Sequence, residues 1–253
     1  MIVGILGCGA IANVLIHKIE NKDEIIVKYF YDRDIEKAEN LARTSNGTVV
    51  LDFHEMIDGV DLILESASQS SVKELVPEVL KKGKDVIVMS VGALLDKDLW
   101  NEMKTISKKT GAKIHIPSGA IAGLDAIKAG SVGEIKKVLL TTRKSPSSLG
   151  KDITKEEVLF VGKASEAVKK FPLNINVAAT LSIASNLDID VKILVDPKVD
   201  RNIHQVLVEG DFGRVVTETE NLPCESNPKT SILAAYSAIQ LLNSLTKPFN
   251  LGT

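Results

Sequence analysis

Cysteine is nearly missing from this sequence: Cys8 and Cys224 are the only two among 253 residues. Two thiols so far apart frame neither a disulfide scaffold nor a zinc ribbon. No H-x-x-x-H pair, C-x-x-C pair or dense carboxylate cluster takes their place, so no metal is expected. Aromatic residues are few, with one Trp, three Tyr and six Phe. The core must therefore be mostly aliphatic, and the stacking platform that single-stranded nucleic acid needs is lacking. Neither sign of charge prevails, with 31 Lys and Arg against 33 Asp and Glu and a net charge of −2. That balance gives no general attraction to nucleic acid or to an anionic membrane. No apolar run nears the roughly 18 residues of a membrane span. The first residues lack the basic start of a secretory signal and are broken by Gly4, Gly7 and Gly9, so a cytoplasmic protein is expected. No G-x-S-x-G elbow marks a serine hydrolase.

What is present is ordinary for a globular chain, 44% hydrophobic and 25% charged. At about 150 residues per domain, the length allows one or two domains. Residues 2–6 form a short, continuously apolar run, as expected of a strand buried on both faces. Helical spacing follows in Ile11, Leu15 and Ile19. Apolar runs at 25–31, 60–64, 85–89 and 113–116 then alternate with helical stretches at 35–43, 70–82 and 95–109. This alternation predicts a Rossmann-type parallel sheet covered by helices.

The second half reads differently. A strand is predicted over 135–143, a loop rich in Ser and Pro over 144–150, and a helix of small residues over 174–186 behind Pro172. Strand-like runs follow at 191–195, 202–209 and 212–218, the last two joined by the hairpin signal Gly210-Asp211. An amphipathic helix is predicted over 230–245. The expected class is α/β, with an N-terminal Rossmann-type domain over residues 1–122. A C-terminal α+β domain with a mostly antiparallel sheet is expected over 123–228. The C-terminal helix, within 229–253, is a candidate to complete the first domain.

Gly7-Cys8-Gly9-Ala10-Ile11-Ala12 is a G-x-G-x-x-A loop between a strand and a helix. The first glycine permits the tight turn, the second admits a pyrophosphate, and Ala12 allows close helix–strand packing. The phosphates would rest on the positive end of the helix that starts at Ala10. Gly7, Gly9, Ala10 and Ile11 are thus candidate cofactor contacts. The next strand ends in Asp32, suited to the ribose hydroxyls of NAD, and Arg33 beside it suits the 2′-phosphate of NADP. Both cofactors stay open. Cys8 sits near a helix N-terminus that could lower its pKa, although a small residue filling the loop is the simpler reading.

Of the four histidines, His17 falls late in the first helix, His54 in a loop before a short helix, and His115 in a strand near the domain boundary. Only His204 lies in the second domain. It shares parity with Val206 and Val208, so it faces a partly buried side. Such a histidine suits proton transfer near neutral pH, but taken alone a histidine on an apolar face is more often a hydrogen-bonded structural residue. Glu55, Asp58, Asp61 and Glu65 straddle a turn and a strand and read as solvent charges.

Several further segments carry more specific information. Pro117-Ser118-Gly119-Ala120-Ile121-Ala122-Gly123 follows the last strand of the first half. Then come Thr142-Arg143-Lys144, Asn174-Ile175-Asn176-Val177-Ala178-Ala179-Thr180, and Asp196-Pro197 running on to Arg201-Asn202-Ile203-His204. With the glycine loop, and in this order, the chain resembles the L-aspartate dehydrogenase family from its N-terminus to at least the hairpin at Gly210. The resemblance implies NAD- or NADP-dependent oxidation of L-aspartate to iminosuccinate, which hydrolyses to oxaloacetate and ammonia and feeds de novo NAD synthesis. It implies that His204 is catalytic, that Ala120 and Asn176 contact the cofactor, that Asn174 faces cofactor or substrate, and that the protein is a homodimer. Two substrate carboxylates call for cations, for which Arg143, Lys144 and Arg201 are the candidates. A related dehydrogenase or imine reductase with another substrate would keep the fold. A non-catalytic NAD-sensing protein would need no His204.

Overall fold

The computed structural model describes residues 1–19, 23–146, 153–171, 175–249 and 251–252. The contacts divide the chain into two units, Met1–Pro117 with Ala235–Phe249, and Ser118–Ala234 with the last few residues.

The first unit alternates strand and helix as its apolar pattern predicts. In chain order it runs β1 (Ile2–Leu6), α1 (Ala10–Lys18), β2 (Ile26–Tyr31), α2 (Ile35–Ser45), β3 (Thr48–Val49), α3 (Phe53–Asp58), β4 (Leu62–Glu65), α4 (Gln69–Lys81), β5 (Asp85–Val88), a 3-10 turn at Val91–Leu95, α5 (Lys97–Thr110) and β6 (Ile114–His115). The six strands are all parallel, in the order β3-β2-β1-β4-β5-β6. Ile5, Leu6, Leu62, Ile63, Leu64 and Ile87 are fully buried, so the core is as aliphatic as the shortage of aromatics requires. Each such side chain contributes about 1.5–3 kcal/mol on leaving water. The chain steps outward from β1 to β3, then returns to β4 and steps the other way. That reversal makes the carboxyl ends of β1 and β4 the switch point at which open parallel sheets bind ligands. His54 lies inside α3, behind its capping residue Asp52, rather than in the loop expected from sequence.

The second unit contains α6 (Leu124–Gly130), β7 (Ile135–Lys144), β8 (Glu157–Lys163), α7 (Ala164–Lys170), α8 (Asn176–Ser185), β9 (Asp190–Val195), β10 (Asn202–Gly210), β11 (Gly213–Asn221), β12 (Pro223–Cys224) and β13 (Asn227–Ser231). Five strands form a mixed sheet in the order β11-β10-β7-β9-β8, in which only the β7–β9 pair is parallel. A two-stranded ladder joins β12 to β13. Helix α8 packs on β7 and on α6, so that one face of the sheet carries Val138, Leu140, Val206 and Val208 buried beneath helices. The last helix, α9 (Ile232–Ser244), begins at the end of this unit, and from Ala235 it belongs to the first. Pro172, Asn174 and the tip of the predicted Ser- and Pro-rich loop lie outside the described residues.

Candidate active site

The glycine loop of the first unit is built as its sequence demands. Gly7 has φ +95°, and a Cβ there would lie 2.6 Å from the backbone of Ala67, so no other residue fits without displacement. A Cβ on Gly9 would meet nothing within 4 Å. Open space therefore stands before the first turn of α1, which has no side-chain cap and no acidic residue. The amides of that turn have no carbonyl within the helix to bond, and the helix dipole adds positive potential. Gly7, Gly9, Asp32, Ser66 and Ser68 help line a cleft of about 410 Å³. Asp32 is fixed at its rim: Oδ2 accepts from the Cys8 amide at 2.7 Å and Oδ1 from the Asp34 amide at 2.8 Å. Arg33 and Lys37 also line the cleft, paired with Glu74 at 3.3 Å and Asp34 at 3.0 Å. An uncapped helix start, an empty approach at Gly9 and a rim carboxylate fit a dinucleotide. The Cys8 thiol is pushed up to about 12 by burial and by the charge of Asp32, which overrides the helix terminus and leaves it an inert filler.

A second cluster forms on the helix-covered face of the mixed sheet. Beyond the apolar row of Val206, Val208 and Leu140, the same face turns polar. On β7 it presents Thr142 and Lys144, and on β10 His204 and Asn202, because residues two apart share a side. His204 stands directly opposite Thr142 on one side and Thr219 of β11 on the other. The Thr142 hydroxyl and His204 Nδ1 are hydrogen-bonded at 3.0 Å, which fixes the ring. Desolvation, reinforced by the charge of Lys144, draws the His204 pKa down to about 4, so the imidazole is neutral at pH 7. Lys144 is only 8% exposed, and burial together with the charge of Lys229 lowers its pKa to about 8. Both shifts have a cation as their second cause. Positive potential is therefore concentrated here, the local condition for holding an anion in a protein with almost no net charge.

Next to His204 in parity, Asn202 buries its Oδ1 without a hydrogen-bond partner. A buried, unpaired acceptor is costly and points to a ligand that would satisfy it. The chain around Ala120 is pinned along β11: its carbonyl accepts from Thr219 Oγ1 at 2.8 Å and Asn221 Nδ2 at 3.1 Å. Asn176 is exposed at the first position of α8.

Two expected cations fall elsewhere. Arg143 has the opposite parity to Thr142 and Lys144 and points to the other face of the sheet, where it pairs with Glu156 and, at 3.3 Å, with Asp196. The structure does not bring it together with His204. Arg201 stands before β10 with its side chain about half exposed and Nε 3.5 Å from Asp200. Glu65 is a further correction: read from sequence as a solvent charge, it has no exposed surface. Among the described residues no group of three or more potential metal ligands occurs, and no helix is long and apolar enough to cross a membrane.

Comparison with known proteins agrees with both halves. Residues 125–245 match the family described as aspartate dehydrogenase, C-terminal, and residues 7–117 match the NAD binding domain of homoserine dehydrogenase. An L-aspartate dehydrogenase of Methanothermobacter thermautotrophicus is 54% identical over 100% of this chain and 99% of its own. One from Methanococcus maripaludis is 45% identical over 99% of both chains. The crystal structure of aspartate dehydrogenase from Thermotoga maritima superposes with a TM-score of 0.84 at 32% identity, covering 100% of this chain and 99% of that one.

Proposed function

The chain belongs to the L-aspartate dehydrogenase family, and from that premise we propose how its own residues carry the reaction. The activity is NAD(P)-dependent oxidation of L-aspartate to iminosuccinate, which water converts to oxaloacetate and ammonia. When bound, the nicotinamide supplies the acceptor for the hydride leaving Cα. Gly7, Gly9, Ala10 and Ile11 receive the pyrophosphate, and Asp32 accepts from the ribose hydroxyls. Ala120 and Asn176 add contacts to the same cofactor. NAD is preferred over NADP, because the Asp32 carboxylate repels a 2′-phosphate and the cations nearby, Arg33 and Lys37, are each paired with an acid.

Lys144 binds a substrate carboxylate through its ammonium group. Asn202 Oδ1 accepts a hydrogen bond from the substrate amine, which satisfies the otherwise unpaired atom. His204 takes the proton that the amine must lose before hydride can leave. With Nδ1–H donating to the Thr142 hydroxyl, the Nε2 lone pair is free to act as that base. Once that proton has passed to solvent, the same nitrogen is again free to take one from the water that attacks the imine. Of these observations, the His204 ring held by Thr142 on the same sheet face as the buried Lys144 carries the reading.

The product serves de novo NAD synthesis, and the enzyme acts in the cytoplasm, where the two free thiols stay reduced. It works as a homodimer; the sheet face opposite the cluster displays Val161 and Val216 to solvent, and Leu207 and Leu139 follow Val216 in register. An initial-rate screen of L-aspartate, other amino acids and hydroxy acids with NAD and NADP tests the assignment. Turnover is expected with L-aspartate and faster with NAD. Turnover confined to another substrate, or none beside tight cofactor binding, overturns it.

A further inference from the structure

The chemistry above leaves one fully buried charge unused. Glu65, the last residue of β4, has no exposed surface. Its Oε1 accepts from the amides of Ala67 at 2.9 Å and Ser68 at 3.1 Å and from Ser90 Oγ at 2.8 Å. Its Oε2 accepts from the amides of Met89 at 3.2 Å and Ser90 at 2.9 Å. Every partner is a donor, which matches an acceptor-only carboxylate, and none is a cation. Burial pushes the Glu65 pKa up, and the donors from Ser90, Ala67 and Met89 pull against it.

The place of this charge gives it meaning. The residues after β4 that Glu65 holds, together with Ser66, line the same cleft as Gly7, Gly9 and Asp32. A dinucleotide at a switch point lays one mononucleotide on each side of it. Asp32 and the glycine loop take the adenosine side, over β1 and β2. The other side falls on the carboxyl end of β5, whose following residues 89–90 Glu65 ties to residues 67–68 at the edge of that cleft. The ring bound there is cationic when oxidised and neutral when reduced.

We propose that Glu65 is a positioning residue for the nicotinamide half of the cofactor, and that its buried charge biases the site toward the oxidised form. The inference rests on the nicotinamide cofactor, and the ligands chosen keep the two failures apart. Dissociation constants of NAD, NADH and ADP-ribose, which lacks nicotinamide, are measured by calorimetry for the wild type, E65Q and S90A. If the wild type binds none of the three, the cofactor reading has failed.

In E65Q, ADP-ribose affinity should stay within about twofold of wild type, while NAD weakens about tenfold more than NADH through loss of the charge. S90A keeps the carboxylate and removes one donor. It should weaken NAD and NADH together, about threefold, and leave their ratio and ADP-ribose unchanged. An unchanged ratio of NAD to NADH affinity in E65Q overturns the electrostatic bias. Equal weakening of ADP-ribose in a folded E65Q overturns the assignment to the nicotinamide half. Should E65Q fail to fold, S90A decides: no change in either nicotinamide ligand overturns the proposal, and selective weakening of both upholds it.

Discussion

Replacing Lys144 with methionine keeps the reach of the side chain and removes its charge. In the protein without substrate, that charge is held at a cost: burial first, and Lys229 second, lower its pKa from 10.5 to about 8. At 1.36 kcal/mol per tenfold, the fall corresponds to roughly 3 kcal/mol against the ammonium form. A dicarboxylate in contact with Lys144 relieves that cost, returning the group to full protonation. Near pH 8 the free site is half protonated and the complex fully so, which makes binding take up about half a proton. Succinate, a dicarboxylate without an amine, isolates this step from the chemistry of the substrate nitrogen. Its binding to the NAD-saturated enzyme, measured by calorimetry in buffers of different ionisation enthalpy, reads the uptake directly. The uptake should fade by about pH 7 and be absent in K144M between about pH 7 and 9, where succinate stays fully dianionic. Loss of a buried charge-assisted contact should also weaken succinate by about 30- to 300-fold. Wild-type binding at pH 8 without proton uptake, or K144M affinity within about threefold of wild type, refutes the reasoning.

Two further outcomes follow from the same cluster. Because the folded-state pKa of Lys144 lies below its unfolded value, the residue destabilises the ligand-free protein below about pH 8, and this penalty fades as pH rises toward 10.5. K144M should therefore melt a few degrees above wild type at pH 7, with the advantage gone near pH 10.5, as thermal scans across that range will show. T142V removes the hydroxyl that holds His204 Nδ1 and should lower kcat about 10- to 100-fold with little change in the KM for L-aspartate, while T142S recovers most of the loss; equal rates for T142V and wild type would show that the ring needs no such partner.

Much of the fold was legible because buried parallel strands announce themselves. The runs ending at Leu6 and Tyr31 are continuously apolar or nearly so, and the glycine loop between β1 and α1 has few other uses. Strand β8 was not read. It is an edge strand, paired only with β9, and its Val158 and Val161 are exposed, so its pattern shows no buried stripe. Glu65 was missed for a related reason: a carboxylate after an apolar run looks like the solvent end of a strand, and only the fold reveals five donors converging on it.

Within the second unit, parity along a strand locates the histidine and also separates the candidate cations. Arg143 and Lys144 are neighbours on one strand, so a period of two sends them to opposite faces. The same rule would have added Asn202, two residues before His204, and Thr142, two before Lys144. What the sequence could not supply was the register of β7 against β10, which sets Thr142 opposite His204 and orients its ring.

The turnover of H204A tests the account most directly. With L-aspartate and NAD, kcat should fall at least about 100-fold, as expected on removing a positioned general base, while the dissociation constant for NAD, bound by the glycine loop and Asp32, stays within about twofold. A folded H204A protein that oxidises L-aspartate at near the wild-type kcat contradicts it.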